Sequence, residues 1–219
     1  MKLLVISSSP RKNSSQTLVL ANEVLAGCAV PSRTETIHLP GCNIEFCRHC
    51  EKCHEQILQC PIKDDAAWLL KKMLAADAII FASPNYINHI TASMKALFER
   101  SSHFIHCKRL LGKYTAGVVS SGSGSNHDKE ILDYMRHFSN ICGAQYAGGV
   151  SSKEPVDKVK KAKAARLGRS LARAVKSKKV FADQMKVIKA STAHFKLLMK
   201  RRKHQWPSEY QYWKDKGWI

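Results

Sequence analysis

Acidic residues are scarce in this chain: 17 Asp and Glu stand against 36 Lys and Arg in 219 residues, a formal charge of +19. The deficit is uneven. Residues 1–150 hold 12 acidic and 16 basic side chains, whereas residues 151–219 hold 5 and 20, so the excess belongs to the carboxyl-terminal part. No apolar run approaches the roughly 18 residues a membrane-spanning helix needs. The opening MKLLVI is too short for the apolar core of a secretory leader and runs straight into a polar loop. A reducing, cytoplasmic setting is therefore expected for the eight cysteines. There, clustered thiols hold metal or carry redox chemistry more often than they build a disulfide framework. The GxGxxG glycines of a dinucleotide fold and the GxxxxGK run of a nucleotide triphosphatase are missing too. No recognition-helix motif, RNA-binding signature or zinc-finger spacing accompanies the positive charge, which disfavours nucleic acid as the partner.

What is present begins with Lys2 to Ala21, KLLVISSSPRKNSSQTLVLA. Leu3, Leu4, Val5 and Ile6 form the continuous apolar run expected of a parallel strand buried on both faces. Serines and Pro10 end it. Leu18, Leu20, Val24 and Leu25 then recur at near-helical spacing, with Ser14 or Ser15 placed to cap the first turn. A strand, a hydroxyl-rich loop and a helix start aim backbone N–H groups and hydroxyls at one point, as a phosphate cradle does. The plainer alternative is a solvated serine-rich loop.

The rest alternates in the same way. Strands are expected at Thr34–Leu39, Ala78–Ala82, Tyr114–Ser120 and Ala144–Val150. Helices are expected at Asp64–Ala75, Thr91–Arg100, Asp128–Asn140 and, as a long closing helix, Glu154–Lys179. That is the pattern of an α/β, doubly wound, five-stranded parallel sheet with helices on both faces. Residues 1–180 are expected to form this domain, with a cysteine-rich insertion at 40–62. Residues 181–219 are expected to add a basic amphipathic helix and an aromatic tail. Ligands of such sheets sit beyond the carboxyl ends of the strands, where three loops converge: Ser7–Thr17, Ser83–Ile90 and Ser120–Ser125.

SSPRKNSSQT, followed by SPNYINHITASMKALFER from Ser83 to Arg100, resembles the NAD(P)H-dependent FMN reductases of the flavodoxin-like superfamily. The resemblance covers roughly residues 1–150. It implies that Ser9, Arg11, Ser15, Gln16 and Thr17 hold the FMN phosphate. Pro84, Asn85, Tyr86, Ile87 and Asn88 would lie along the isoalloxazine ring, and Ser121, Gly122 and Ser123 would form a third wall. One departure stands out: where family members commonly carry glycine and asparagine, this chain has Ser14 and Ser15. No protein acid–base catalyst is expected, because flavin carries the chemistry.

The insertion PGCNIEFCRHCEKCHEQILQCP places Cys47, Cys50, Cys53 and Cys60 close together. A CxxCxxC run with a later Cys-Pro is suited to an iron–sulfur cluster, whereas four-cysteine zinc sites usually come as two separated CxxC pairs. Free or reversibly oxidised thiols, and zinc helped by His49 or His54, are the alternatives. The spacing resembles that of the iron–sulfur flavoproteins, a branch of the same superfamily, which implies a 4Fe-4S cluster held by those four cysteines beside FMN. Cys28, Cys42, Cys107 and Cys142 fall outside the pattern. His89 reads as a solvated loop histidine, and His103 and His106 as helix-end residues favoured by the dipole.

The tail crowds basic residues along its helices, and its last segment, WPSEYQYWKDKGWI, carries three of the four tryptophans. Aromatics so dense suggest docking against a surface of this subunit or of a neighbour. A homodimer or homotetramer is expected. The basic charge suits an acidic redox partner such as a ferredoxin. The function expected is FMN-dependent electron transfer from such a donor, or from NAD(P)H, to a small-molecule acceptor through the cluster. The alternatives are a cluster-free NAD(P)H-dependent reductase of flavin or quinone, and an anion- or nucleic-acid-binding scaffold.

Overall fold

The computed structural model describes residues 1–29, 33–122, 124 and 127–219. Five strands, β1 (Lys2–Ser7), β2 (Arg33–His38), β3 (Ala78–Pro84), β4 (Tyr114–Ser121) and β5 (Gln145–Lys153), form one sheet in the order β2-β1-β3-β4-β5. Every pairing is parallel. This order is that of the flavodoxin-like doubly wound sheet, with its switch point beside β1. Along β1 the side chains divide between the faces. Leu3 and Val5 join Ala78, Ile80 and Val118 in one core, while Leu4 and Ile6 join Ile79, Phe81 and Val119 in the other. The unbroken apolar run thus reflects burial on both sides.

The helices in chain order are α1 (Gln16–Gly27), α2 (Lys52–Glu55), α3 (Ala66–Ala75), α4 (Ala92–Glu99), α5 (Ser102–His106), α6 (Asp128–Ile141), α7 (Lys158–Ser177), α8 (Ala182–Arg201) and α9 (Pro207–Asp215). α1 and α7 cover one face of the sheet; α3, α4 and α6 cover the other. α1 and α7 cross at two glycines. A Cβ on Gly168 would lie 2.0 Å from the Val24 carbonyl oxygen, and one on Gly27 would lie 2.1 Å from that of Ala165. Only hydrogen permits that approach.

Element boundaries shift most at the rim. β3 runs on to Pro84 and β5 to Lys153, each beyond the expected end. The closing helix starts at Lys158 rather than Glu154, because Asp157 caps it by accepting the Lys160 N–H at 2.6 Å. The tail is folded onto the domain. Gln184 of α8 lies against the edge strand β5: its Oε1 accepts the Tyr146 N–H at 2.7 Å, and its Nε2 donates to the Tyr146 carbonyl at 2.9 Å. One side chain thereby pairs both backbone groups of Tyr146 as a sixth strand would. Trp206 and Trp213 are buried against Cys107 and Met199 of the same chain. Among the described residues, no helix is long and apolar enough to cross a membrane.

Candidate functional site

The first rim loop leaves β1 with Ser8, whose N–H donates to the Ala82 carbonyl at 2.9 Å. The chain turns through a short 3-10 segment, Lys12–Ser14, and enters α1. Ser15 is its cap: Oγ accepts the Leu18 N–H at 3.2 Å, while Ser14 is exposed. Ser9, Ser15 and Thr17 are buried and Arg11 is exposed. Thr17 Oγ1 lies 2.6 Å from Ser120 Oγ, which donates to Glu154 Oε1 at 3.0 Å. The other oxygen of Glu154 accepts from Arg11 at 3.1 Å. Gln16 faces elsewhere, its Oε1 accepting the Val156 N–H at 2.9 Å.

The second and third loops are tied together. Asn85 donates its N–H to the Ser120 carbonyl at 2.7 Å and its side-chain amide to Asp128 Oδ1 at 2.9 Å. Asp128, buried at the start of α6, also accepts from Ser121 Oγ at 3.1 Å. Tyr86 and His89 exchange two backbone hydrogen bonds, of 3.0 and 3.1 Å, and Ile87 and Asn88 between them take left-handed φ values of 51° and 59°. That conformation is unusual for a β-branched residue. The turn pushes Ile87 to 98% exposure and Tyr86 to 48%. His89 lies edge-on to Tyr134, ring centroids 4.7 Å apart. Pro84 ends β3, Gly122 is exposed on the third loop, and Ser123 lies outside the described residues.

Buried hydroxyls, a guanidinium and the amino end of a twelve-residue helix suit a phosphate dianion, because the first-turn N–H groups of a helix have no intrahelical partner and the dipole favours negative charge there. The exposed apolar tip at Tyr86–Ile87 suits the face of a flat ring. Glu154 is the unexpected member, since its carboxylate occupies Arg11.

The cysteine insertion builds a second site. Cys47, Cys50, Cys53 and Cys60 line one cavity, together with Arg100 and His103. Around one zinc, tetrahedral thiolates at 2.3 Å must approach to about 3.8 Å of one another. Among the described residues, the trio of metal-ligating type drawn within 4.8 Å is instead His54, His106 and Glu209. Their ligand atoms already meet one another: Glu209 Oε1 lies 2.7 Å from His54 Nδ1, and Oε2 lies 2.9 Å from His106 Nδ1. The four thiols stand apart from that trio, along the wall of their own cavity.

Two donors face that space. Arg100, carried at the end of α4, donates from Nη2 to Cys60 Sγ at 3.4 Å and to Asp64 Oδ1 at 3.0 Å, and from Nη1 to the Glu45 carbonyl at 2.8 Å. Asp64 accepts from the Glu45 and Ala66 N–H groups at 2.8 and 3.1 Å. Burial alone would raise the Asp64 pKa, but Arg100 and those N–H groups outweigh it and hold the carboxyl below its ordinary range. Asp64 was expected to open α3; the helix begins two residues later because this carboxylate is engaged with Arg100 and the cysteine loop. His103, 1% exposed, has no hydrogen-bond partner for either ring nitrogen among the described residues, and burial pushes its pKa down to about 3. A neutral imidazole with an orphan N–H beside four thiols suits a group bearing sulfur acceptors.

Both His103 and His106 stand in the last turn of α5, as their helix-end reading has it, and each has a further role. His106 pairs with the buried Glu209, its ring 4.4 Å from and nearly parallel to that of His54. His103 is buried in the core. Cys28, Cys107 and Cys142 are buried away from the cavity, and Cys42 donates to the His38 carbonyl at 3.6 Å. Arg100, Asp128, Glu154 and Glu209 went unnoticed among the candidate residues, and His103 was not among those assigned to the site. A basic residue closing the helix after the S-P-x-Y loop was the one available signal, for Arg100; the others depend on contacts across the fold.

Comparison with known proteins shows the family and the fold. A family model described as NADPH-dependent FMN reductase matches residues 1–154. An iron–sulfur flavoprotein of Archaeoglobus fulgidus is 30% identical over 226 residues, covering 100% of both chains. One of Methanocaldococcus jannaschii is 34% identical over 137 residues, covering 63% of this chain and 70% of its own. Among solved structures, an NADH:FMN oxidoreductase in its apo form superposes with a TM-score of 0.60 at 20% identity, over 79% of this chain and 89% of that one. The chain belongs to the NADPH-dependent FMN reductase family and is a flavin-dependent oxidoreductase.

Proposed function

We propose that this oxidoreductase carries a 4Fe-4S cluster on Cys47, Cys50, Cys53 and Cys60 beside its FMN, and passes electrons between a reduced donor and a small acceptor. The observation that carries the reading is the cavity itself: four thiols, a guanidinium on one sulfur and an orphan imidazole share one wall. Bound there, the cluster supplies one-electron transfer, and FMN supplies exchange between one- and two-electron chemistry. The chain's own part is binding and electrostatics. Ser9, Ser15 and Thr17, with the start of α1 and Arg11, hold the phosphate, and Gln16 braces the loop through Val156. Pro84, Asn85, Tyr86, Ile87 and Asn88 line the ring, with Ser121 and Gly122 on the third loop; Ser123, assigned to the same wall by resemblance, lies outside the described residues. Asp128 keeps these two walls in register.

The donor in this reading is an acidic ferredoxin-like protein, steered by the basic helices α7 and α8, or NAD(P)H. A dimer or tetramer, in which a neighbouring copy covers the exposed Ile87, belongs to the same reading. Serine substitution tests the ligand set. Changing Cys47, Cys50, Cys53 or Cys60 should abolish or cripple iron uptake and leave FMN bound, while Cys28→Ser and Cys142→Ser leave both unchanged. Equal iron in all six variants would refute the assignment.

A further inference from the structure

The cysteine loop is an awkward piece of chain. Three of its non-glycine residues, His49, Glu51 and Leu58, take left-handed φ values of 49°, 58° and 65°, two of them between the first and third cysteines. Such residues keep that conformation only where the surroundings over-determine it. The surroundings here come from the other end of the chain. Trp206 Nε1 donates to Glu51 Oε2 at 3.0 Å, the Ile57 N–H donates to Ser208 Oγ at 3.2 Å, and Glu209 meets His54 at 2.7 Å. His54 follows Cys53 directly. The far oxygen of Glu209 is anchored on His106 of α5, at 2.9 Å, so the carboxylate bridges the loop to a helix of the main domain. Its carboxylate is fully buried, and the Trp206 ring closes over both imidazoles, 4.8 and 5.0 Å away.

We infer that Glu209 is a positioning residue for the four cysteines. Through His54 it locks the short helix carrying Cys53 against α5, and with Ser208 and Trp206 it holds the strained loop in the shape that gathers the thiols around one cavity. The carboxyl-terminal helix is then a clasp on the redox site. It lies outside the segment shared with the FMN reductase family, residues 1–154, so the clasp is an addition to that fold. The inference rests on the cluster reading for its consequence, but not for its test in the apo protein.

The test compares wild type with Glu209→Gln, which keeps size and burial but cannot bridge two histidine N–H donors as a carboxylate does. Trp206→Phe is a milder second variant that removes only the indole donor to Glu51. In cluster-free protein, alkylation of the half-buried Cys53, read by mass spectrometry, should quicken several-fold in Glu209→Gln and less in Trp206→Phe. Alkylation of Cys28 and the affinity for FMN should stay as in wild type. In anaerobically reconstituted protein, iron retention against a chelator should fall roughly 10–100-fold, the usual effect of losing a partner that orients metal ligands, and the cluster's electron-paramagnetic-resonance signal should broaden. Unchanged alkylation in both variants would overturn the inference, whatever their melting temperatures. Wild type that binds no iron would refute the cluster reading, and the alkylation rates would still decide on the clasp.

Discussion

Nη2 of Arg100 donates to the sulfur of Cys60 across 3.4 Å, from a guanidinium only 2% exposed and paired with the fully buried carboxylate of Asp64. A hydrogen bond and a fixed positive charge on a ligand sulfur stabilise the more negative, reduced form of a cluster. Arg100→Met should therefore lower the midpoint potential of the reconstituted cluster, followed by spectroscopic titration. It should also destabilise the fold by about 3–5 kcal/mol in urea denaturation, because Asp64 is left buried without its partner. Arg100→Met/Asp64→Leu should recover much of that stability but only part of the potential, because the unpaired negative charge goes while the hydrogen bond to Cys60 stays lost. An unshifted potential in both variants would separate Arg100 from the cluster.

At the phosphate loop, Arg11→Ala with Thr17→Val should weaken FMN binding, each change removing a donor worth about 1.5–3 kcal/mol toward a charged group. Riboflavin, which has no phosphate, should lose little between wild type and variant. Glu154 now engages Arg11, so Glu154→Gln should free the guanidinium and tighten FMN. Fluorescence titration with the two flavins measures all three effects, and a Glu154→Gln variant with weakened FMN would show that Arg11 does not serve the phosphate.

Gln184→Ala would strip both hydrogen bonds from Tyr146 on the sheet edge and a third from Asn140, whose amide donates to Gln184 Oε1 at 2.8 Å. Buried groups left without partners cost about 1–3 kcal/mol each. The loss should appear in denaturant unfolding and as faster amide exchange along β5, with α1 and β1 unaffected.

Lys108 gives the pH signature. Its buried ammonium donates to the Ile105 and Ile141 carbonyls and to Ser191 Oγ at 2.7, 2.9 and 2.7 Å, and lies 4.6 Å from the Phe195 ring. Burial lowers its pKa to about 8, against the weak opposing pull of Cys142 and Cys107. Between about pH 8 and the unfolded value near 10.5, the unfolded chain binds the proton that the folded one has released, so this residue's contribution to stability rises with pH. The slope is at most about 1.4 kcal/mol per pH unit. Lys108→Met should be less stable throughout, with its two carbonyls unpaired, and should lack that slope. Urea midpoints for both proteins from pH 7.5 to 10.5 decide it, parallel curves counting against the assignment.

The sheet was legible because its signals are local. Leu3 to Ile6 can be little else than a doubly buried strand, and Ser15 caps where hydroxyl spacing places a cap. Strand ends were less so: Pro84 and Lys153 are held in β3 and β5 by pairing with neighbouring strands, which no local pattern reports. The four cysteines that line one cavity could be picked out by spacing, whereas the groups around them could not. Glu209 meets His54 across 155 positions, and Arg100 meets Cys60 across 40. The aromatic tail was recognisable as a docking element, but not that Trp206 docks on the cysteine loop of its own chain.

Iron and sulfide per chain, measured on wild type prepared and reconstituted without oxygen, test the central claim most directly. One 4Fe-4S cluster on Cys47, Cys50, Cys53 and Cys60 requires about four irons and about four sulfides for each FMN, with broad visible absorbance that bleaches on reduction. Protein that holds one FMN, takes up no iron under those conditions and leaves all four cysteines open to alkylation would contradict it.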